Sequence, residues 1–136
     1  MDASQAMANL NWLAILVAAL VAFPIGYLWY GPLFGKPWMG LTGITEDKAR
    51  QANMGLTYGS ALVLNLIIAT SLAMFIGGGD WTFGFFAGFM SGFTFVAMAF
   101  GVTYLFESRP FKLWAINAGY QTLTFTVMGV ILGAWH

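Results

Sequence analysis

Tyr27-Leu28-Trp29-Tyr30-Gly31-Pro32-Leu33-Phe34-Gly35-Lys36-Pro37-Trp38 begins as apolar helix, gathers aromatic rings and ends beside the first positive charge of the chain, Lys36. That order of residues marks a helix leaving a bilayer on its cytoplasmic side, and Gly31-Pro32 is where the helix is expected to break. Upstream, Leu10 to Tyr30 carries no charge, and about 20 apolar residues suffice to cross the hydrocarbon. Pro24 lies past the middle of this span. It cannot donate to the helical ladder and clashes with the carbonyl four residues back, so a kink is expected there, with an under-bonded carbonyl at Leu20. In lipid such a group is re-satisfied by a neighbouring helix or by water. Met1 to Asn11 holds Asp2 and no Lys or Arg, and the run that follows is too long for the apolar core of a signal peptide. A retained transmembrane helix is expected instead.

The rest of the composition agrees. The chain of 136 residues is 60% hydrophobic and 7% charged, whereas a soluble domain carries about 25% charge. Lipid is therefore the solvent for much of it, and the length suits one domain over 1–136. Zero net charge and the lack of a basic run leave no electrostatic footprint for nucleic acid. Without cysteine there is neither a disulfide framework nor thiolate chemistry. No cofactor or metal motif is present, and His136 stands alone at the end of the chain.

Three more spans are expected, at about 54–76, 82–106 and 112–135. Gly77-Gly-Gly-Asp80 and Glu107-Ser-Arg-Pro110 separate the last three as tight turns. Thr45 to Arg50 reads as a short cytoplasmic interfacial helix, with Thr45 as N-cap and Glu46 four residues before Arg50. The fold class is thus an all-α membrane protein of four transmembrane helices plus that short helix. All five Lys and Arg fall between spans one and two or between three and four. Short basic loops stay in the cytoplasm, which puts both termini outside. Trp12, Trp81 and Trp135 then fall at the outer interface, and Trp29, Trp38 and Trp114 at the inner one, as in an aromatic belt.

The embedded polar and small residues carry what functional signal there is. Gly84, Gly88 and Gly92 in span three, and Gly119, Gly129 and Gly133 in span four, form small-residue rows that let helices approach closely. A pore lining is the alternative reading of the same rows. Asn117, Tyr120, Gln121 and Thr124 share another face of span four, and unpaired amides in hydrocarbon cost several kcal/mol, so this face should point inward. At about 1.5 Å per residue, Asn65 and Gln121 come to similar depths, roughly 14 to 17 Å from the cytoplasmic end. With Thr94 and the Leu20 carbonyl they form a candidate polar cluster at the midplane. Plain interhelical hydrogen bonding explains such a cluster without any transport role. No Asp, Glu, Lys, Arg or His lies inside a span, which argues against a proton-coupled antiporter. At the cytoplasmic face, Lys36, Glu107, Arg109 and Lys112 form a candidate headgroup or anion site, with simple interfacial anchoring as the alternative.

Asn11-Trp12, the run Gly26 to Trp38, Glu107-x-Arg-Pro110 and Asn117-Ala-Gly-Tyr120 together resemble a family of small bacterial integral membrane proteins grouped as a domain of unknown function. The Trp-Tyr-x-Pro-x-Phe-Gly-Lys core is the specific part. The resemblance implies a four-helix inner-membrane protein and supplies no activity. Three function classes follow from the residues. A homo-oligomeric, membrane-embedded interaction or structural protein comes first, with membrane lipids and further copies of the chain as partners. A channel or facilitator for a small solute or ion through the midplane cluster is second. An interfacial enzyme acting on a lipid or quinone is third.

Overall fold

A computed structural model describes residues 10–44 and 53–135. Thr45 to Arg50, with its expected interfacial helix, and His136 lie outside the described residues. Four helices are long and apolar enough to cross a membrane: α1 (Trp12–Leu33), α3 (Met54–Ile76), α4 (Trp81–Phe106) and α5 (Phe111–Ala134). A short helix, α2 (Gly35–Thr42), follows the first. The described residues contain no strand.

Local chemistry explains where the helices start and stop. Asn11, Asn53 and Asp80 each accept a backbone N–H three residues on, at 3.0–3.1 Å, and so cap α1, α3 and α4. α3 ends at Gly77, whose φ of +57° suits a residue without a Cβ. After α4 the chain closes a Schellman turn. Ser108 N–H donates to Leu105 O, Arg109 N–H reaches back to Tyr104 O at 2.9 Å, and Ser108 takes the left-handed conformation. Pro110 then opens α5, where its missing N–H is no loss.

The chain does not break at Gly31-Pro32. The helix runs on to Leu33 by widening into a π-turn over Trp29–Leu33, in which Phe34 N–H donates to Trp29 O at 2.8 Å. Pro32 is the physical reason: it has no N–H for the carbonyl of Leu28, and one extra residue in the turn accommodates its ring. A second π segment, Ser91–Ala97, lies midway along α4.

α5 is the centre of the fold and packs against every other helix. Its most extensive contact is with α4, where backbone meets backbone. A Cβ on Gly84 or Gly129 would overlap the other's carbonyl oxygen, one on Gly88 would overlap Phe125 O, and one on Gly133 would overlap Asp80 O. On its other side α5 contributes Phe125, Met128 and Leu132 to a core shared with α1 and α3. α1 enters that core through Ala14, Ile15, Ala18, Ala19 and Ala22, all nearly or fully inaccessible. Within a membrane no hydrophobic drive separates helices from lipid, so close packing of such small faces supplies the attraction.

Candidate functional site

The π-turn brings two consecutive residues of α1 onto α5. Trp29 Nε1 donates to Ile116 O at 2.9 Å, and its ring lies where a Cβ on Gly119 would be only 2.9 Å away. Tyr30 donates its hydroxyl to Asn117 Oδ1 at 2.7 Å, and Asn117 Nδ2 donates to the hydroxyl of Tyr104 at 2.8 Å. One amide therefore ties α1, α4 and α5 together.

Each residue of the Trp-Tyr-x-Pro-x-Phe-Gly-Lys run now has a physical part. Trp29 and Tyr30 bond to α5, and Pro32 forces the π-turn. Phe34 packs on Trp29 with ring centroids 4.7 Å apart. Gly35 is buried so tightly against Tyr30 O that a Cβ would not fit. α2 then returns Trp38 to the Tyr30 ring, 5.2 Å between centroids. Lys36 stays exposed.

Tyr120, one turn further along α5, packs its ring at a tilt 5.2 Å from that of Tyr30 and donates to Ala22 O at 2.9 Å. Gly26 admits that hydroxyl, since a Cβ there would lie 3.3 Å from it. Leu20, by contrast, is 44% exposed. The donor that arrives beside Pro24 serves the carbonyl of Ala22.

The midplane residues are placed as follows. Asn65 and Gln121 are half-buried, and neither side chain hydrogen-bonds to a described residue. Thr94 bonds back to Met90 O in its own helix. It borders an open groove of about 570 Å³ between α3 and α4, which Asn65 and Gln121 do not line. Thr124 is 2% exposed, and among the described residues its hydroxyl has no hydrogen-bond partner. Gly92 abuts Phe125 Cβ and Thr122 Cα across the α4–α5 seam.

At the Glu107–Pro110 turn, Arg109 Nε donates to Glu107 Oε2 at 3.2 Å, and the guanidinium lies 5.6 Å from the centre of the Tyr104 ring. Lys36 and Lys112 are exposed, and among the described residues neither joins that ion pair. Trp114 donates Nε1 to Ala97 O at 2.8 Å, in space left by Gly101. Trp29 and Trp114 thus use their N–H groups between helices, whereas Trp12 and Trp81 are more than half exposed. The tyrosine partners of Asn117 and the alanine row of α1 were open to sequence reasoning. Ala14, Ala18 and Ala22 recur every fourth residue, and a buried tyrosine hydroxyl needs a partner.

A family described as "Protein of unknown function (DUF1761)" matches residues 13–133. The chain belongs to that family. No curated protein and no solved structure matches it. The family match covers Trp29, Tyr30, Tyr104, Asn117 and Tyr120, and therefore the whole of the hydrogen-bonded junction.

Proposed function

We propose that this protein is a homo-oligomeric interaction or structural protein of the bacterial inner membrane, with both termini outside. The observation that carries the reading is the use made of α5's polar face. Asn117 and Tyr120 are engaged in bonds that hold helices together, and the large grooves beside α4 have apolar walls. A polar pathway needs such groups turned toward water. The confinement of Lys and Arg to two short connections supports the orientation, with α2 and the Thr45–Arg50 stretch on the cytoplasmic surface.

The first two turns of α3 supply the surface for a second copy. Met54 to Ser60 are exposed all round, and nothing lies within 4 Å of where a Cβ on Gly59 would be. Gly55 and Gly59 form the small-xxx-small spacing that brings two membrane helices close. Native mass spectrometry in mild detergent should find a dimer or larger species. Monomer alone would end the oligomeric reading.

A channel or facilitator is the second reading, favoured by the side chains of Asn65 and Gln121, which bond to no described residue. Solute flux into proteoliposomes that falls on Asn65→Leu would support it over the first. Equal background flux with and without protein would remove it.

A further inference from the structure

We propose that the face shared by α4 and α5 binds one anionic phospholipid, headgroup at Arg109 and one acyl chain along the groove beneath. This site requires only that the four helices span a bilayer, and it stands apart from the oligomeric reading above.

Two open grooves lie on this face, and Trp114 lines both. The larger, about 600 Å³, has Phe85, Phe89 and Phe93 of α4 as one wall and small residues of α5, among them Ala115 and Ala118, as the other. The smaller, about 250 Å³, shares Trp114 with it and is lined by Tyr104 and Arg109. The phenylalanine wall is straight: successive rings are near parallel, at 3° and 8°, with centroids 6.4 and 5.7 Å apart.

Dimensions choose between a second helix and a hydrocarbon chain. From Phe85 to Ala97 the helix rises about 18 Å, so a groove of about 600 Å³ has a mean cross-section of roughly 33 Å². A helix with its side chains is about 10–12 Å across, so a partner helix would lie over the opening and not within the groove. An extended acyl chain is slim enough, and the groove's walls are apolar along its length.

Charge chooses the headgroup. Arg109 and Lys112 against Glu107 give this turn one net positive charge, and Arg109 lines the groove. The Schellman turn brings Arg109 back over Tyr104, and Glu107 engages its Nε. The terminal N–H groups of the guanidinium are the planar fork that takes a phosphate. A phosphodiester with no cation of its own complements this end. A choline headgroup would set its ammonium against Arg109 and Lys112.

The test is native mass spectrometry of the full chain in mild detergent, titrated with phosphatidylglycerol or phosphatidylcholine of equal acyl length. We expect one phosphatidylglycerol per protomer, retained about five-fold better than phosphatidylcholine. Arg109→Gln should remove most of that preference and leave chain binding in place. Ala115→Leu puts a branched side chain into the groove and should weaken both lipids at least about five-fold. Leu123→Trp blocks the same groove should the first variant fail to fold. Equal retention of the two lipids by the unaltered protein, or a preference that survives Arg109→Gln, overturns the headgroup assignment. Unchanged lipid retention in the blocked variants overturns the groove. A change of oligomeric state in those variants gives the face to a second copy and overturns the proposal as a whole.

Discussion

Tyr30 donates its hydroxyl to Asn117 across 2.7 Å, joining positions 87 apart in the chain. Asn117 passes the connection on to Tyr104, so three helices meet at one side-chain amide. In lipid a polar group so placed has no water to fall back on, and its partners must come from the protein.

Asn117→Leu should therefore lower thermal stability in detergent, by about 1–2 kcal/mol, because two tyrosine hydroxyls lose their partner at once. A double-mutant cycle with Tyr30→Phe should return a coupling of about 0.6 kcal/mol, the usual size for a membrane interhelical bond. Additive effects of the two changes would mean that the bond adds nothing to stability.

The α4–α5 seam predicts a contrast between glycines. Gly88→Val must displace the backbone at Phe125 and should cost about 3 kcal/mol or more, with loss of the folded species in size-exclusion chromatography. Gly59→Ala meets nothing within the protomer. It should leave the melting temperature of the protomer unchanged or slightly higher, since Ala is the better helix former by about 1 kcal/mol. Equal destabilisation at both sites would contradict the packing described.

Ser108 holds a left-handed conformation at the end of α4, with φ of +57°. Glycine has no Cβ to strain there, so Ser108→Gly should stabilise the protein by about 1 kcal/mol, and Ser108→Val should destabilise it. Thermal unfolding followed by circular dichroism checks both signs.

The tryptophans divide by what their N–H groups do. Trp29→Phe and Trp114→Phe each lose an interhelical bond to a backbone carbonyl, and each should lower stability by about 1 kcal/mol or somewhat more. Trp81→Phe, on an exposed ring, should change little. A uniform response of all three would assign them to one interfacial belt.

Much of the fold was legible in the chain. The four apolar runs and the turn residues are local features, and local chemistry is enough to place the spans; the caps at Asn11, Asn53 and Asp80 are equally local but went unread. The small residues of α4 and α5 were visible for the same reason, because only a few residue types allow backbones to touch. The misplaced break at Gly31-Pro32 shows where this reasoning stops. Proline and glycine together read as an end of helix, but Phe34 N–H reaches Trp29 O and the chain passes through. The π-turn gains its stability from Trp29 and Tyr30 bonding to α5, which is a distant partner.

What the sequence by itself determined is the number of spans, their approximate ends and the distribution of charge along the chain. Tertiary structure alone decided which polar group meets which: Tyr30 with Asn117, Tyr120 with Ala22 O, Trp114 with Ala97 O. The reason is the solvent. In water a helix declares its buried face by an apolar stripe against a polar one. In a bilayer both faces are apolar, so hydropathy carries no record of rotation about the helix axis. That rotation is set by close packing and by a few hydrogen bonds, and both exist only once the other helices are in place.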